Sequence, residues 1–212
     1  LLGILVLFLG TILAFLIFSN LSSKPTETVQ EVSAVNGTGI VLPSHFTERK
    51  ITDPSTARDA INDVADTLGI VSVEDELGTA DCSTVLGDTY YSFPQVYRGI
   101  PVYGRKVTVS ADADSEAALL TSGFYPIENL SVEAKITQND AEKIVAGLYP
   151  GEADIYVNNL VIFSLDKTNP ELAWKISVHQ NNSWESVFLS AVDGRALKTF
   201  SNELTDNESS SN

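Results

Sequence analysis

Period-two alternation dominates the middle of the chain. From Tyr90 to Val109, Tyr91, Phe93, Gln95 and Tyr97 alternate with Ser92, Pro94, Val96 and Arg98. After Arg98-Gly99-Ile100-Pro101 the pattern restarts at Val102, and Val107 and Val109 share a face. Alternation interrupted by Gly and Pro predicts a hairpin, because Gly99 accepts φ > 0 and Pro101 holds φ at about −65°. Pro94 has no N–H to give a ladder, so it belongs at an edge or a bulge.

A different period brackets the hairpin. In Thr52–Leu68, Ala57, Ala60, Ile61, Val64 and Leu68 recur at helical spacing, behind Asp53 as N-cap and Pro54 in the first turn, with Gly69 as the stop. A second helix is expected over Thr137–Leu148. Thr137 and Asp140 resemble a capping box, and Ala141, Ile144, Val145 and Leu148 form the apolar face. Tyr149-Pro150-Gly151 ends it.

Further strands are expected near Gly39–Leu42 and over Ala117–Gly123, Val157–Leu165, Leu172–His179, Trp184–Ala191 and, after the Asp193-Gly194 turn, Ala196–Phe200. Glu74–Asp88 reads as a loop or irregular strand. In 172–179, Leu172, Trp174, Ile176 and Val178 alternate with Ala173, Lys175 and Ser177, predicting one buried and one wet face. The fold class is α+β: two successive units of one helix packed on an antiparallel sheet, preceded by an N-terminal hydrophobic helix. The expected division is a signal peptide or membrane anchor at 1–18, a polar linker at 19–49, units at 50–126 and 127–201, and an acidic tail or linker at 202–212.

Leu1–Phe18 carries no charge and approaches the roughly 20 residues of a bilayer span. It exceeds the roughly 7–15-residue apolar core of a cleaved signal, so an anchor is favoured. Either places the remainder outside the cytoplasm, secreted or membrane-anchored. The chain has no Met, so a trimmed start or a fragment is expected.

Charge narrows the partners. With 28 acidic against 13 basic residues and a net charge of −15, the chain would repel a phosphate backbone, so no nucleic acid is expected. Cys82 is the single cysteine, so no internal disulfide can form.

Catalytic patterns are missing. The two histidines, His45 and His179, are far apart in sequence and neither lies in H-E-x-x-H, the helical spacing that seats two imidazoles on one zinc. No Gly-x-Ser-x-Gly elbow or Gly-rich phosphate loop occurs. The acidic turn Asp112–Glu116 fails as a calcium loop, since counting from Asp112 puts Ala117 at position six and Gly123 at position twelve. No catalytic residue, metal or cofactor is expected. Asn20, Asn36, Asn129, Asn181 and Asn207 head glycosylation sequons, relevant only in a eukaryotic source.

The hairpin residues Phe93, Gln95, Tyr97, Gly99, Ile100, Pro101, Val102, Tyr103 and Gly104 match nine specified positions of F-x-Q-x-Y-x-G-I-P-V-[FY]-G. The stretch resembles the fungalysin/thermolysin propeptide domain. Leu172, Trp174, Ile176, Val192, Asp193, Gly194 and Leu197 resemble the PepSY-type half of the same propeptides, with Asp193 directly before Gly194 where the family has a longer spacing. These motif residues read as fold-makers. The resemblance implies a non-catalytic prosegment that assists folding of a thermolysin-like zinc metallopeptidase and inhibits it, with the segment Phe200–Asn212 in the active-site cleft. The partner is then the peptidase catalytic domain, in cis or in trans, with the membrane as a second partner if residues 1–18 stay attached. Tyr97, Arg98 and Tyr103 are candidate partner contacts, Tyr and Arg being enriched where binding energy concentrates. Two alternatives stay open: a free-standing anchored protein regulating peptidases in trans, and an extracytoplasmic structural or ligand-binding domain.

Overall fold

The computed structural model describes residues 39–164 and 169–201. The apolar segment 1–18, most of the linker, Leu165 and the tail 202–212 lie outside the described residues.

Asp53 sets the start of the first helix. Its carboxylate accepts from the amides of Ser55 at 2.8 Å and Thr56 at 2.9 Å, and Thr56 Oγ1 accepts from the Asp53 N–H at 3.0 Å. This reciprocal cap satisfies donors that the first turn leaves free. Helix α1, Pro54–Asp63, buries Ala57, Ala60 and Ile61. The expected run to Leu68 is interrupted at Val64, whose N–H turns to Ile61 O, three residues back, at 3.1 Å. A short helix α2, Ala65–Leu68, follows and ends at Gly69.

The expected loop at 74–88 is more structured. It holds a helical turn α3, Val73–Glu76, and a strand β2, Asp81–Val85. Every residue of β2 is exposed, so no apolar face marks it in the sequence. Strand β1 is Ile40–Leu42, β3 is Asp88–Tyr97, β4 is Ile100–Ala111 and β5 is Ala117–Ser122. They pair antiparallel in the order β1-β5-β4-β3-β2. Tyr91, Phe93, Val107, Val109 and Leu120 line the face that packs against α1.

Residues 126–135 lead to helix α4, Gln138–Leu148, capped by Thr137, whose hydroxyl accepts from the Asp140 N–H at 3.2 Å. Ala141 and Val145 are buried, whereas Leu148, expected on the apolar face, is 54% exposed in the last turn. Strands β6 (Asp154–Phe163), β7 (Glu171–Gln180), β8 (Ser183–Ser190) and β9 (Ala196–Ser201) form an antiparallel meander.

Two features depart from the expected plan. Among the described residues the strands form one nine-stranded sheet, because β4 and β6 run parallel and pair at Val102 and Ile162. The face of β7 expected to be wet is partly core. Ala173 is fully buried there with Val161, Phe163 and Phe188, and the Phe163 and Phe188 rings stack at 4.3 Å. Alternation in one strand cannot reveal this, since aromatic rings from neighbouring strands close over a small residue. All described residues fall in one compact unit.

Candidate functional site

The hairpin carries a large irregularity at its centre. Pro94 pairs with Lys106 and Val96 with Pro101, so β3 has only Gln95 between these pairs while β4 has Val102, Tyr103, Gly104 and Arg105. The surplus bulges outward and carries Val102 to Ile162 of β6. Bulges of this kind re-aim side chains and redirect strands. Gln95 fastens the other side. Only 2% exposed, it donates from Nε2 to Tyr125 O at 2.7 Å and accepts the Tyr125 N–H on Oε1 at 3.3 Å. Pro94 stands at the bulge, as its missing N–H requires, and its carbonyl accepts from Gly78 N–H at 2.8 Å.

The turn is tighter than the expected break. Arg98 (φ +49°) and Gly99 (φ +79°) alone form it. Two consecutive positive φ values match the twist of flanking strands in a two-residue hairpin. Ile100 and Pro101 already belong to β4, opposite Tyr97 and Val96.

The three candidate contact residues separate. The Arg98 guanidinium lies 5.2 Å over the Tyr97 ring, and Tyr97 leans on the cluster of Val102, Tyr125, Ile127 and Ile162. Tyr103 turns to the other face, its ring 4.5 Å from Phe188 and 6.0 Å from Phe163. Phe93 and Val102 are core.

Over the bulge, on the face away from α1 and α4, lies a groove of about 540 Å³. It runs from β2 across β3, β4 and β6 to β7. Pro94, Pro101, Tyr103 and Val161 supply apolar surface, Arg105, Lys106 and Lys175 supply positive charge, and Asp81 and Cys82 lie at the β2 side. Lys175 Nζ sits 5.4 Å over the Tyr103 ring, and the Arg105 guanidinium sits 5.4 Å over the Tyr125 ring. Sequence reasoning passed over these three cations. Lys106 and Lys175 each precede a buried residue, Val107 and Ile176, and only strand pairing shows that they face one groove.

The second-half motif residues also support structure. Trp174 Nε1 donates to Ile136 O at 2.8 Å. Asp193 accepts the Arg195 N–H at 3.1 Å, and this bond, with Ser190 and the Arg195 charge, holds its carboxyl below the usual carboxylate range. Gly194 stands at φ +75°, and a Cβ there would lie 2.8 Å from Ile144 Cδ1.

His45 lies in the loop after β1 at φ +65°. His179 stacks on Trp184 at 4.7 Å with its Nδ1 3.6 Å from Asp154. Among the described residues no three His, Cys, Asp or Glu side chains converge to hold a metal, and no helix is long and apolar enough to cross a membrane.

Residues 82–124, from β2 to just past β5, match the fungalysin/thermolysin propeptide motif. Among solved structures, the Bacillus megaterium YpeB C-terminal domain is similar at 14% identity and a TM-score of 0.40, over 90% of this chain and 96% of that one. A candidate lipoprotein from Clostridium difficile 630 is similar at 16% identity and a TM-score of 0.28, over 75% of this chain and 99% of that one. No curated protein matches the chain by sequence.

Proposed function

We propose that the chain is a propeptide-type inhibitor and folding assistant of a thermolysin-like zinc metallopeptidase, acting outside the cytoplasm and without catalysis of its own. The observation that carries this reading is the fungalysin/thermolysin propeptide motif, which falls on the bulged hairpin at the centre of the first half. A prosegment that binds the native enzyme and not its unfolded chain stabilises it by mass action. If it also binds the folding transition state, it speeds folding over a high barrier. The catalytic domain is the partner, joined in cis or met in trans. Strand β9 ends at Ser201 on the outer edge of the sheet, with β8 as its neighbour. Phe200 and Ser201, expected to begin the cleft segment, belong to β9 and pair with Ser186 and Glu185, so in this reading residues 202–212, which follow them in sequence, are the part that enters the active-site cleft.

The test is titration of residues 24–212 into a thermolysin-type peptidase of the same source. The expected result is saturable inhibition, lost when residues 202–212 are removed. No binding at micromolar concentration to any such enzyme defeats the proposal.

A further inference from the structure

We infer that the groove over the β4 bulge is a docking site for an extended, acidic peptide segment of another protein, held through its carboxylates by Lys106 and Lys175 with Arg105 at the rim. This holds whether or not that protein is a peptidase.

Charge is the first argument. In a chain with 28 acids and 13 bases, a cation should meet an internal carboxylate easily. Arg49, Lys50, Arg58 and Arg195 do so, while among the described residues Arg98, Lys135, Lys143 and Lys198, scattered elsewhere on the surface, do not. Lys106 and Lys175 line one groove, with Arg105 at its margin and its guanidinium drawn over Tyr125, and none of the three has a carboxylate within 4.0 Å among the described residues. Asp81 is the one acid of the lining, so the groove is positive within a molecule of net charge −15. Converging like charges repel, and a counter-charge from outside relieves them. A cleft lined by one sign of charge also concentrates ligands of the other sign.

Shape and chemistry give the rest. Crossing β2, β3, β4, β6 and β7 means four inter-strand gaps of about 4.8 Å, or about 19 Å, room for about six extended residues. Tyr103, 37% exposed and backed by Phe188, offers a rigid aromatic surface beside the two lysines. The ammonium of Lys175 is steadied over that ring. A segment alternating acidic and apolar residues would set carboxylates on the lysines and apolar side chains on Tyr103 and the two prolines.

Cys82 supplies a direct readout, since it is the only cysteine, exposed, and part of the groove wall. The full chain is treated with iodoacetamide in the presence of a blocked hexapeptide alternating Glu and Leu, or of its twin alternating Gln and Leu. Calorimetry gives the affinities. The Glu peptide should slow alkylation of Cys82 at least about fivefold at saturation, while the Gln twin leaves it unchanged. Its affinity should fall as salt rises from about 0.05 to 0.5 M, because exposed charge pairs are screened. Lys106→Gln and Lys175→Gln should each weaken it by about five- to tenfold. Equal protection by both peptides, protection by neither, or unchanged affinity in the correctly melting double variant overturns the inference. If the double variant does not fold, the twin comparison and the salt series decide alone. No peptidase enters the assay, so its failure leaves the inhibitor reading to its own titration.

Discussion

The two halves of the sheet are built on one plan and differ in what lies behind them. Each has a helix on one face. In the first, α1 and the segment after it bury Ala57, Ala60, Ile61, Leu68, Ile70, Val73 and Leu77 against the strands. Its other face is polar, with Ser92 and Thr108 hydrogen-bonded at 2.9 Å and Lys106 pointing to the groove. In the second, α4 buries only Ala141 and Val145. That thin layer is complemented on the opposite face by Val161, Phe163, Ala173 and Phe188, with Tyr103 of the first half closing over them. A sheet with a small helix contact needs a second apolar face, and here its neighbour supplies part of the cover.

Removing that second layer is the harshest way to break the comparison. Phe188→Ala should destabilise the chain by about 3–5 kcal/mol, the usual cost of emptying a buried phenyl site. Urea unfolding measures it, and a loss under about 1 kcal/mol would mean that the aromatic face is not core. Next come the two polar anchors. Gln95→Leu strands a buried N–H and C=O of Tyr125 and should cost about 2–4 kcal/mol. Trp174→Phe gives up one partly buried bond to Ile136 and should cost about 1–2 kcal/mol. The reverse order would show that the second anchor matters more. Smaller still, Gly99→Ala meets no atom within 4 Å and bears only the strain of a positive φ, about 1 kcal/mol. Gly194→Ala adds a collision with the mobile end of Ile144, so its melting temperature should drop slightly further.

The smallest effect is confined to alkaline pH. Burial, with a hydrogen bond to Glu185 at 2.5 Å, pushes the Tyr149 hydroxyl up to about 12. The folded state therefore favours the protonated phenol. Its contribution is fully present below the unfolded value near 10 and is lost as pH rises through about 12. Tyr149→Phe should flatten stability against pH in that window, and an unchanged slope would reject the assignment.

How much of this was legible depended on whether a residue's role is local. Asp53, Pro54 and Thr137 act within one turn of chain, and the helix starts follow from them. The hairpin, its Gly99 turn and the displacement at Pro94 follow from backbone rules that need no partner. The exposed strand β2 was hidden because it buries nothing. The Val64 break was hidden because the apolar stripe runs through it. The joining of the two halves through Val102 and the placing of Lys106 and Lys175 along one groove depend on pairing between residues dozens of positions apart, which alternation within a strand does not encode. The motif residues were readable as fold-makers, but Gln95 was not readable as the one that grips Tyr125.

The connection at 126–135 joins the halves along the chain, and it is clasped at both ends: Gln95 holds the backbone of Tyr125, and Trp174 holds that of Ile136. Lys135 and Ile136 also donate to Ala191 O, at 2.8 and 2.9 Å. A protease nick within this strap would therefore sever the backbone without freeing either end. The two pieces would stay seated, and the cut would register on a denaturing gel before it registered in the hydrodynamic size of the native protein.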